Sequence, residues 1–156
     1  MSKESESDPG KEFKLERYKY ILQQIHTLNQ NLYKYLSLFQ ALTTAVVGGG
    51  IAIFVSYKEL KIDAVAARVG IHGLLGLLII LATFVVVAMV IGMFSWFDYR
   101  QDEVKILNEV IGTGYRKPPR FQNLWRWYET YFIAFLILMM IIISVFVETK
   151  VVPLIK

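Results

Sequence analysis

Few residues in this chain have the chemistry to make or break bonds. It has two histidines, His26 and His72, and no cysteine. A zinc centre would have to be completed with carboxylates, and no ligand spacing supplies them. Ser95 and Asp98 form the nearest nucleophile–base pairing, which a catalytic site would need a third group to orient. The glycines of 48–50 and 112–114 lack the strand, lysine and Ser/Thr context of a phosphate-binding loop. No enzyme activity, cofactor or metal is therefore expected.

The remaining polar residues suggest lipid and packing chemistry. Gln40, Thr43 and Thr44 stand in an uncharged run, followed by Gly48, Gly49 and Gly50. Polar side chains at membrane depth seek another helix or a water-filled path, and glycines permit close helix approach or a kink. This set is a candidate pore lining with a glycine hinge, or a tight helix–helix contact. A second set mixes aromatics and cations: Arg120, Trp125, Arg126, Trp127 and Tyr128. Such a mixture can stack on single-stranded nucleic acid. Here it directly precedes an apolar run, so it reads as an interfacial aromatic belt with a positive flank, and nucleic acid is not expected as a partner. With Arg116 and Lys117 it can also hold anionic headgroups.

The elements carrying these residues follow from hydropathy. The chain has 156 residues, 55% hydrophobic, with a mean hydropathy of +0.45 and a net charge of +4. The apolar excess is gathered in three uncharged runs: 23 residues over 35–57, 29 over 69–97 and 18 over 130–147. A helix needs about 20 apolar residues to cross a bilayer. The expected class is an all-α integral membrane protein with three transmembrane helices. The expected divisions are a disordered tail 1–10, a cytoplasmic amphipathic helix 11–34, a first span 35–57, a short outer loop 58–68 and a second span 69–97. A cytoplasmic helix and basic loop 98–126, a third span 127–148 and an outer tail 149–156 complete the chain. The first 34 residues hold no short apolar signal core, so insertion is expected through the first span.

Leu15, Tyr18, Leu22, Ile25, Asn29, Leu32, Leu36 and Phe39 recur at alternating spacings of three and four. That is a coiled-coil seam, with one polar position of the kind that fixes register. The amphipathic helix therefore continues directly into the first span. Its seam either assembles copies of the chain or packs on the chain's own 98–111 segment, where Val104, Leu107 and Ile111 make an apolar row.

Three spans put the N-terminus and the 98–126 loop on one side, with 12 of the 17 Lys and Arg residues. The positive-inside rule makes that side cytoplasmic, in a plasma (inner) membrane, with the C-terminus outside. The expected function is a small homo-oligomeric, channel-like or membrane-permeabilising protein, assembled through the cytoplasmic helix and first span. The alternative is a membrane anchor or accessory subunit whose cytoplasmic helices dock a soluble protein partner. In layout alone, a cytoplasmic helix joined to a few spans resembles the small transmembrane effectors of bacterial defence systems. No motif carries that likeness, and the third span departs from their commoner two-span layout.

Overall fold

A computed structural model describes residues 9–112 and 114–156. The tail expected over 1–10 therefore lies, except for its last two residues, outside the described residues.

Two very long helices dominate. Helix α1 runs unbroken over Pro9–Leu60, 52 residues. Helix α2 runs over Ala64–Val110, 47 residues. At 1.5 Å per residue they are roughly 78 Å and 70 Å long, more than twice a ~30 Å hydrocarbon core. Only three residues join them. Lys61 takes the left-handed backbone conformation, φ 53°. Asp63 caps α2, its carboxylate accepting the Ala66 N–H at 3.1 Å. A side-chain acceptor there satisfies one of the orphan amides of the first turn. Most of the loop expected over 58–68 is helical, because α1 runs to Leu60 and Asp63 caps α2 at Ala64.

The hairpin is antiparallel and packs along its length. Near the termini of α1 and α2, Ile21 and Ile25 are buried against Ile106, with Tyr18, Trp96 and Tyr99 around them. Lys14 and Glu109 pair across the helices at 3.0 Å, and Arg17 and Asp102 at 3.7 Å. Because the apolar stretches begin close to the turn at one end, the excess length projects at the other, basic end.

Gly112 and Gly114 take positive φ, 118° and 98°, and end the α2 segment. The Tyr115–Arg120 stretch is non-helical, as its two prolines require. A short 3₁₀ helix, Phe121–Arg126, then leads into α3, Tyr128–Phe146. Leu136 of α3 is buried against Val85 and Met89 of α2, with Leu32, Leu36 and Phe39 of α1 packed around that cluster. Past Phe146 the chain keeps turning, through a π-helical turn Val147–Val151 and a 3₁₀ turn Val152–Leu154. Ile155 ends fully buried against Ala67 and Ile71 of α2. The Tyr57 hydroxyl donates to the Lys156 carbonyl at 2.7 Å, and Arg68 donates to the Ile155 carbonyl. The stretch expected as an outer tail, 149–156, clasps the turn end of the hairpin.

Among the described residues, three helices are long and apolar enough to cross a membrane.

Candidate functional site

The eight seam residues divide between two directions. Tyr18, Ile25, Leu32, Leu36 and Phe39 face α2 and α3. Leu15 and Leu22 stay 53% and 38% exposed, and Asn29 is exposed beside them. Helical geometry explains the split. At 100° per residue, the row 18, 25, 32, 39 centres on the partner helices together with Ile21, while the row 15, 22, 29 lies to one side. Ile21 is more deeply buried than any seam residue, at 2% exposure. Ile21 lies outside the 3-4 spacing of the seam and so is missed by it.

The exposed row does not stop at the end of the projecting segment. Tyr33, Gln40, Thr44, Val47 and Ile51 extend it along the same flank of α1, and all are exposed. At 100° per residue, Leu15, Leu22, Asn29, Tyr33, Gln40, Thr44, Val47 and Ile51 fall within an arc of about 60°. Gln40 adjoins Phe39, which packs against Val85 and Leu136 near the middle of α3. An exposed amide thus sits at mid-depth of the three-helix region. No hydrogen bond of its side chain is found among the described residues. Its backbone carbonyl accepts the Thr44 hydroxyl at 2.9 Å, so Thr44 satisfies itself locally.

The other polar and glycine residues of α1 divide in the same way. Thr43 faces inward, and its Oγ1 is buried without a partner. Gly48 borders open space, while a Cβ on Gly49 would lie 3.4 Å from Leu74. Helix α1 passes through all three glycines unbroken, and Gly49 and Gly50, but not Gly48, approach Leu74 of α2.

At the basic end, α2 carries a fully buried carboxylate, Glu103. Arg100 donates to it at 2.6 Å and Arg116 at 2.8 Å. This tethers the 115–120 stretch to the helix pair. Arg100 also lies 5.3 Å over the Trp96 ring. Of the expected interface residues, Trp127 meets Trp96 edge-on at 4.9 Å. Trp125 is 76% exposed, Tyr128 57%, and Arg120 and Arg126 are also exposed. The structure thus gathers the aromatic–cation set at one level, at the start of α3. Sequence spacing gave no sign of the Glu103 triad, because Arg116 reaches it across a loop.

His72 lies at the opposite end of α2. Its Nδ1–H donates to the Arg68 carbonyl at 2.8 Å, and Nε2 faces Glu148 at 3.1 Å. It bridges α2 to the turn after α3, which is a structural use. Among the described residues no group of three His, Asp or Glu stands close enough to hold a metal.

No family model matches the chain, and no curated protein or solved structure matches it either.

Proposed function

We propose that this protein is a small oligomeric membrane protein, channel-like or membrane-permeabilising, whose copies meet along one flank of α1. The observation carrying this reading is the continuous stripe from Leu15 to Ile51. In the projecting segment it exposes leucines to water, and burying each removes roughly 1.5–3 kcal/mol of unfavourable hydration. At mid-membrane depth it exposes the Gln40 amide, which a single copy would leave against lipid. A second copy on this stripe covers both, and a closed ring of copies turns Gln40 toward its neighbour or toward a central path. Asn29, in the same stripe, sets register by pairing with its counterpart. In this reading the basic end is cytoplasmic and the membrane is the plasma (inner) membrane, by the charge bias of the loops.

Native mass spectrometry of the full chain in mild detergent tests it. One closed oligomer of fixed size is expected, and Leu15→Gln/Leu22→Gln together should shift it to monomer. In liposomes, Gln40→Leu should change ion flux while leaving the oligomer intact. A strictly monomeric wild-type protein would refute the reading.

The alternative, an anchor that docks a soluble partner through the projecting hairpin, rests on Phe13 and Tyr20. They are 65% and 55% exposed on the other side of α1. It predicts a monomer or dimer with no flux, and loss of the partner on substitution of those two residues.

A further inference from the structure

Two hollows meet at the level of the aromatic belt. The larger is an open groove of about 700 Å³ between α1, α2 and the start of α3. Its walls are apolar, among them Tyr35, Phe84, Val87, Ile91 and Gly92, and Tyr35 and Phe84 meet edge-to-face at 6.3 Å. Its rim carries Arg100, Arg126 and a single acid, Glu129. On α1 it is bounded by Leu28, Asn29, Asn31, Leu32 and Tyr35, of which Asn29 also belongs to the exposed stripe. The smaller hollow, about 190 Å³, shares Trp96, Arg100 and Trp127 with the groove.

The smaller hollow is lined by four cations, Arg100, Arg116, Lys117 and Arg120, and by no carboxylate. Glu103 behind it takes one bond each from Arg100 and Arg116. That leaves most of the positive charge uncompensated. Lys117 and Arg120 have no carboxylate within ion-pair distance among the described residues. The Arg100 Nε is buried and has no hydrogen-bond partner. A concave set of guanidinium and ammonium donors selects phosphate oxygens. The adjoining apolar groove selects a hydrocarbon chain.

We propose that the two hollows together bind one anionic phospholipid. Its phosphate sits among Arg100, Lys117 and Arg120, and an acyl chain lies in the groove between α1 and α2. Charge complementarity excludes a zwitterionic lipid as the preferred occupant. The apolar groove beside the cations favours a lipid over a soluble phosphate. The cationic hollow is independent of how copies assemble, because none of its lining residues lies on the stripe.

Native mass spectrometry of the delipidated full chain is the test, with phosphatidylglycerol and phosphatidylcholine of equal chain length as probes. Phosphatidylglycerol should bind with clear preference. Each cation near a headgroup is worth roughly fivefold in affinity, so Lys117→Gln/Arg120→Gln should lose about 25-fold for phosphatidylglycerol and little for phosphatidylcholine. Neither side chain has a carboxylate partner here, so this variant should fold normally. Gly92→Leu fills the groove, where a Cβ meets nothing within 4 Å, and should weaken both lipids. Equal binding of the two lipids, or retained preference in the double variant, would overturn the proposal. So would displacement of phosphatidylglycerol by glycerol phosphate, which would show a soluble-anion site. A Gly92→Cys disulfide between copies would put a second chain in the groove and would also overturn it.

Discussion

Replacing Glu103 by glutamine should be the most damaging conservative substitution in the projecting hairpin. The carboxylate is 1% exposed, with Arg100 and Arg116 at 20% and 47%. The two bonds therefore differ in worth. The Arg100 contact is largely shielded from water, where a hydrogen bond between charged groups contributes about 1.5–3 kcal/mol. The Arg116 contact is half in solvent and is discounted to surface-pair strength, about 0.2–1 kcal/mol. Their sum is about 3 kcal/mol. For a chain of this length that is a fall of about 6–12 °C in melting temperature. Arg116→Gln should cost only the smaller part, about 2–4 °C at most. Circular-dichroism melts in detergent measure both. Limited trypsinolysis supplies a local readout, since loss of the Arg116 tether frees the 115–120 stretch. At 1.4 kcal/mol per factor of ten, cleavage after Arg120 should rise about fivefold. If Glu103→Gln melts within about 2 °C of wild type, or if Arg116→Gln costs as much, the assignment of the triad as a buried lock is wrong.

The seam offers a paired test: Ile25→Ala should cost about 2–4 kcal/mol of fold stability, whereas Leu22→Ala should leave the melt of the isolated chain almost unchanged and weaken the oligomer. Asp63→Ala removes the α2 cap and should cost about 1 kcal/mol in the same melt. Burial, reinforced by the neighbouring Tyr20, raises the Tyr99 phenol above its ordinary value of 10.0. The fold thus favours the neutral phenol, stability falls as pH climbs above 10, and Tyr99→Phe should flatten that part of a pH–stability curve.

The sequence was informative where one chemical signal spans many residues. Apolar runs of 18 to 29 residues fall in the three helices long and apolar enough to cross a membrane, and the α2 extension showed in Val104 and Leu107, both buried. The prolines and glycines of 112–119 marked the break between α2 and α3. Features made by residues far apart in sequence were not legible. The clasp of Tyr57, Arg68 and Ile155 depends on the chain turning on past α3 and folding back onto α2. Glu103 looked like one more solvated charge on a polar face. Its burial depends on Arg116, thirteen positions away and beyond a non-helical turn.

The seam was legible as a pattern, and its partner was not, because α1 carries more apolar surface than one neighbour can cover. A row at spacing seven drifts about 20° per heptad on a straight helix, so a strict 3-4 repeat keeps facing one partner only by supercoiling. Helix α1 adds to the seam a further position, Ile21, which is buried against α2, while Leu15 and Leu22 lie to one side. What looks like one two-row seam is in fact three rows, two spent within the chain and one left over. The leftover flank then continues along α1 to Gln40 without changing side. A residue kept only for intrachain packing would have no reason to continue that alignment across the water–lipid boundary. An inter-chain contact would require it, since rigid helices that meet in water must also meet in the bilayer. Asn29→Leu therefore separates the two uses: it should leave the intrachain packing and melt of the single chain intact, and change the copy number read by native mass spectrometry. An unchanged copy number would mean that the stripe's alignment does not set the assembly.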